Sequence, residues 1–101
     1  MDAAAETVKI RITPAASAHL TSVYDYLSAA SSKVAAAQLQ KIFEGIDQLK
    51  LFPESAPRGR KEGTRELTIP NTPFIVAYAI DRDIINILAI LHGSQRWPRS
   101  F

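Results

Sequence analysis

Residues 74–80 read FIVAYAI and residues 84–91 read IINILAIL, with Asp81-Arg82-Asp83 between them and His92-Gly93-Ser94-Gln95-Arg96 at the exit. Two nearly continuous apolar runs of strand length, joined by a short charged turn, predict a hairpin of central strands covered on more than one face. A glycine after His92 marks a strand end where polar side chains leave the core and can meet a ligand. Upstream, residues 65–69 (RELTI) predict another strand, linked to the hairpin by the turn Pro70-Asn71-Thr72-Pro73.

Working outward toward the amino terminus, residues 53–64 (PESAPRGRKEGT) form a polar loop rich in proline, glycine and charge. Before it, Leu39, Ile42, Phe43, Ile46 and Leu49 recur at helical spacing against Lys41, Glu44, Asp47 and Gln48. This predicts a helix from the cap Ser31-Ser32 to about residue 51, stopped by Phe52-Pro53 because proline disfavours helical geometry just before itself. A first helix over residues 14–29 carries Ala16, Leu20, Val23, Tyr24 and Leu27 on one face, with Thr13 as N-cap and Pro14 at the first helical position. So short a link between the two makes them an antiparallel hairpin. Residues 8–12 alternate Val8, Ile10 and Ile12 against Lys9 and Arg11, a half-buried strand. The predicted order is β-α-α-β-β-β: an α+β fold, with the helical hairpin packed on a mainly antiparallel four-stranded sheet.

Composition narrows the class. At 101 residues the chain fits one domain spanning 1–101, and 47% hydrophobic with 22% charged residues is the profile of a folded globule. There is no cysteine, so disulfides and thiolate metal sites are excluded. No apolar run reaches the ~20 residues of a membrane span. The opening Met1-Asp2-Ala3-Ala4-Ala5-Glu6 lacks the basic and apolar regions of a signal peptide, so a cytoplasmic location is expected. No cofactor is expected, because no phosphate loop, dinucleotide glycine pattern or nucleophile motif is present.

Charge is uneven. Residues 1–57 hold five basic and six acidic side chains, whereas residues 58–101 hold seven basic and four acidic, a net +3. The basic residues of the second part gather as Arg58, Arg60, Lys61 and Arg65, with Arg96 and Arg99 near the end. Such a cluster suits phosphate or an acidic protein segment, and equally an ordinary solvated loop. His92 is the candidate acid or base, with Arg96 and Arg65 as phosphate clamps. A lone histidine at a strand end is more often a structural hydrogen bonder. His19, flanking the stripe of the first helix, is expected at the surface without a chemical role. Tyr24, Tyr26 and Tyr78 are expected as rim or core aromatics.

The ordered set "L…FP…GR…GTREL", an apolar strand carrying Tyr78, and "ILAILHGSQRW" resembles the RelE/ParE toxin superfamily of bacterial type II toxin–antitoxin systems. The resemblance runs from Val8 to Trp97, and "ILHG" with a nearby arginine looks most like the ParE branch. It implies a small basic toxin held inactive, in a toxin–antitoxin hetero-oligomer, by a cognate antitoxin that is small and acidic. It also implies one of two actions: poisoning DNA gyrase, or cutting mRNA on the ribosome.

The ribonuclease branch places an arginine on the strand before the last hairpin, and matching the tyrosine puts Ile75 at that position. Its lysines on the preceding strand correspond to Glu66 and Thr68, and its terminal tyrosine or histidine to the region of Trp97 and Phe101. Cleavage through a ribose 2′-hydroxyl needs cations for the phosphorane and an acid for the leaving oxygen. The departures fall on those groups. The resemblance therefore implies a ParE-like gyrase inhibitor acting by binding, with a ribosome-dependent endoribonuclease as the alternative and His92 its catalytic residue. Arg58, Arg60, Lys61, Arg65, His92, Arg96 and Trp97 are the candidate contacts for target or antitoxin.

Overall fold

The computed structural model describes residues 8–94. In chain order it forms β1 (Lys9–Ile12), α1 (Pro14–Ser28), α2 (Ser32–Gln48), β2 (Arg65–Thr68), β3 (Phe74–Asp81) and β4 (Ile84–His92). The strands make one sheet in the order β1-β4-β3-β2. Both apolar strands are thus central, as their composition predicts. The β2–β3 and β3–β4 pairs are antiparallel, while β1 pairs parallel to β4. After the two helices the chain enters the sheet at the far edge, β2, and comes back beside β1 only through the antiparallel β2–β3–β4 meander, so the parallel pair joins the first strand to the last.

Local chemistry sets the helix starts. Thr13 is extended, and its Oγ1 accepts from the Ala16 N–H at 3.2 Å while donating to the Ile87 carbonyl at 2.8 Å. One side chain thereby caps α1 and ties its first turn to β4. Ser31 caps α2 in the same way through the Val34 N–H. The far end of α2 departs from expectation, since the helix stops at Gln48. Leu49, Lys50 and Leu51 bond back three residues, to Ile46, Asp47 and Gln48, so the last turn tightens before Pro53 is reached.

Burial follows the periodicity with two exceptions. Ala16, Ile42, Ile46 and Leu49 are buried, and Leu20, Val23, Leu27 and Leu39 pack against the core, but Tyr24 and Phe43 on the same stripes are exposed. Under the helices lie Val76, Tyr78, Ile85, Ile87 and Ile90. Ile85 and Ile87 share parity but Ile90 does not. The reason is a β-bulge: Tyr78 opposes Ile87 and Ala77 opposes Ala89, which leaves Leu88 as the extra residue. A bulge shifts the two-residue alternation by one and re-aims everything beyond it. Ile90 and His92 therefore face the helices, while Ala89 and Leu91 face the open side with Ala77. Gly45 permits the close approach of α2, because a Cβ there would lie 2.7 Å from the Ile69 Cδ1.

Candidate functional site

The basic loop is held by its own charges. Arg65, half-buried, donates from Nη1 to the Ala56 carbonyl at 2.7 Å and to the Glu54 carbonyl at 3.2 Å. Glu66 accepts from the Arg60 backbone N–H at 2.7 Å and from its Nε at 3.1 Å. Backbone bonds from Glu66 to Pro57 and from Gly59 to Thr64 extend the sheet edge onto the loop. Arg65, expected as a surface recognition group, is half-buried and turns one guanidinium nitrogen onto loop carbonyls. Arg58 is exposed, and Lys61 is half-buried beside Gly63 and Thr64 in a shallow hollow. Arg96 and Trp97 lie outside the described residues.

Tyr78 closes the loop from beneath. Its ring is fully buried and its Oη donates to the Pro53 carbonyl at 2.7 Å. Burial pushes the phenol above its ordinary value, and the Ala56 backbone and the Arg65 charge draw it part of the way back.

The exit of β4 forms a second region. His92 meets Phe74 edge-to-face, with ring centroids 5.8 Å apart. Its Nδ1 accepts from the Ser94 N–H at 3.2 Å, and the Ser94 Oγ lies 2.8 Å from the same atom. Across from it, on α1, the Nδ1 of His19 accepts from the Ile90 N–H at 3.2 Å. That amide lies on the edge of β4 beyond the last residue paired with β1, where no strand partner exists among the described residues. The surface role expected for His19 is corrected as well. It is half-buried and joins helix to sheet. Its position was available in the spacing, since residues 16, 19, 20, 23 and 27 complete the helical stripe.

Both histidines line one cleft of about 510 Å³ between α1 and the end of β4. Ser22, Tyr26 and Ser94 supply its other polar side chains, over a floor that includes Phe74 and Ile90. The open sheet face is chemically different. Ile75, Ala77 and Leu91 lie there beside Glu66 and Thr68, whose register partners are Ala77 and Ile75. Among the described residues no group of three or more histidine or acidic side chains could hold a metal ion. None of the described helices is long and apolar enough to cross a membrane.

Comparison with known proteins adds to this geometry. Residues 10–97 match the family model described as the ParE toxin of the type II toxin–antitoxin system parDE. A Sinorhizobium fredii protein named "Putative toxin Y4kP" is 34% identical over 91 residues, covering 90% of this chain and 94% of that protein. The solved structure titled "Chromosomal ParDE TA system from P. aeruginosa" superposes with a TM-score of 0.77 at 26% identity, over 85% of this chain and 96% of that one. With the β-α-α-β-β-β order and the mixed sheet beneath a helical hairpin, these matches place the chain in the ParE toxin family of type II toxin–antitoxin systems.

Proposed function

We propose that the chain halts growth in the cytoplasm by binding DNA gyrase and blocking replication, without turnover, and that a small acidic antitoxin neutralises it in a hetero-oligomer. The observation that carries the choice of target is the open sheet face. At the positions where RNA cleavage would need cations for the phosphorane stand Ile75, Thr68 and Glu66, and the Glu66 carboxylate is already paired with Arg60. Such a face suits contact better than phosphoryl chemistry. The ParDE title of the Pseudomonas relative supports an antitoxin as partner. In this reading Arg58, Lys61, Arg96 and Trp97 contact target or antitoxin, and Arg60 and Arg65 hold the loop that presents the first two.

The test is induction of the chain without its antitoxin. Replication should stop, cells should filament and the DNA-damage response should rise while bulk translation continues at first. Rapid cutting of mRNA at ribosomal A-site codons, with replication continuing until translation fails, would establish the endoribonuclease alternative.

A further inference from the structure

The sheet keeps one edge open, along β1. The Lys9 N–H donates to the Asp83 carbonyl at 2.9 Å and the Thr13 N–H to the Ile87 carbonyl at 3.1 Å, on either side of the register that sets Arg11 beside Asn86. Alternate residues of a parallel strand turn their backbone groups to the same neighbour. The N–H and C=O of Ile10 and Ile12 therefore point away from β4, where no strand of the described residues pairs with them. The opposite edge is treated differently, since the Glu66 N–H on β2 donates to the Pro57 carbonyl of the basic loop. Side chains give the open edge two unlike flanks. Toward the helices, Ile10 and Ile12 line a groove with Phe43, and Phe43 is 45% and Ile12 38% exposed. Glu44, Asp47 and Lys50 rim that groove; Asp47 pairs with Lys50 and Glu44 accepts from the Gln40 amide, so the rim is net negative. On the open sheet face lie Lys9 and Arg11, both exposed, with the Arg11 Nη1 donating to the Asn86 Oδ1 at 3.3 Å.

We propose that the β1 edge is a strand-docking site for an extended segment of another protein in which aliphatic and acidic residues alternate, and that Lys9 and Arg11 select that segment. Backbone bonds to Ile10 and Ile12 accept any extended chain, so the flanking side chains decide which one stays. The segment's aliphatic positions meet Ile10, Ile12 and Phe43, on a flank whose negative rim disfavours a carboxylate. Its intervening positions stand over the open face beside Lys9 and Arg11, where a carboxylate is attracted and a cation repelled. The same geometry bars a second copy of this chain. Antiparallel pairing of two β1 strands through the bonds of Ile10 and Ile12 sets Arg11 against Arg11 or Lys9 of the other copy, and like charges directly opposite destabilise such a pair. The assignment concerns this edge alone and holds whichever target the toxin has.

The probes are N-acetyl-Val-Glu-Val-Glu-Val-amide and its lysine counterpart, titrated into the full chain and followed by amide NMR and hydrogen exchange. The glutamyl probe should shift and slow the amides of Ile10 and Ile12, leaving Arg11, whose N–H belongs to the ladder with β4, nearly unmoved. The lysyl probe should bind about tenfold more weakly, the combined scale of two exposed cross-strand charge contacts changing sign. That gap should close in about 1 M salt. Reversing both cations, Lys9→Glu with Arg11→Glu, should invert the order of the two probes, while Arg11→Gln alone, which keeps a donor for Asn86, should narrow it. Equal affinities, no protection of Ile10 and Ile12 by either probe, or protection that grows with protein concentration in the unaltered chain without a probe would overturn the assignment. If the doubly reversed chain fails to fold, the probe comparison and its salt dependence in the unaltered chain decide it.

Discussion

The basic loop before β2 and the cleft at the end of β4 spend their polar side chains differently. The loop holds Arg58, Arg60, Lys61 and Arg65 within eight residues, yet Arg60 and Arg65 are turned onto Glu66 and the Glu54 and Ala56 carbonyls. The cleft is lined by two imidazoles and three hydroxyls beside apolar side chains. Cations close to unsatisfied carbonyls are drawn into structural bonds because a charged donor stabilises an otherwise unpaired acceptor. A histidine that gives one ring nitrogen to the backbone still has the other to offer.

This contrast breaks first at Arg65. Arg65→Ala removes two charge-assisted bonds from a half-buried position and should destabilise the chain by about 3 kcal/mol, read from denaturant midpoints. An unchanged midpoint would return Arg65 to the surface role. Next comes His19, where His19→Leu leaves the Ile90 N–H without an acceptor and should cost about 2 kcal/mol, while His19→Asn should cost less than half as much. Equal losses would show that packing, not the hydrogen bond, is what His19 supplies.

Tyr78 gives a smaller effect with a pH signature. Its folded-state phenol titrates above the ordinary value of 10.0, so the folded chain holds the proton more tightly than the unfolded one. The resulting contribution is complete below pH 10.0 and is lost as pH rises through the folded value. Tyr78→Phe should lower stability by about 1 kcal/mol near neutrality and flatten this alkaline decline. A wild-type decline that persists unchanged in the phenylalanine variant would assign it to other groups. Smallest is Arg60→Ala, whose half-exposed ion pair with Glu66 should be worth about 1 kcal/mol or less and weaken further with salt.

The fold was largely legible because each boundary carries its own chemistry. Thr13-Pro14 caps and starts α1, Ser31 caps α2, and Asp81-Arg82-Asp83 turns the hairpin even though Arg82 must adopt φ 61. The end of α2 was overrun because proline restricts only the residue before it, while the tightening began at Leu49. The bulge was hidden for a different reason. Past Asn86, residues 87–91 (ILAIL) are all apolar, so no alternation exists to reveal a slip at Leu88. His92 could therefore be placed at a strand end but not on a face, and its meeting with His19 depended on that face. Arg65 was legible as a cation but not as a structural one, since the carbonyls it reaches belong to residues 54 and 56, whose path no spacing records.

The most direct test of the central claim, a binding toxin rather than a nuclease, is gyrase supercoiling in the presence of the purified chain and of its His92→Gln variant. Glutamine can replace a hydrogen bond from the ring but cannot transfer protons at neutral pH. Loss of supercoiling or accumulation of cleaved DNA with both proteins, and intact mRNA on translating ribosomes, is the predicted result. Unimpaired gyrase together with ribosomal mRNA cutting that the folded His92→Gln protein has lost, by the ~10²–10⁴-fold a general acid supplies, would contradict it.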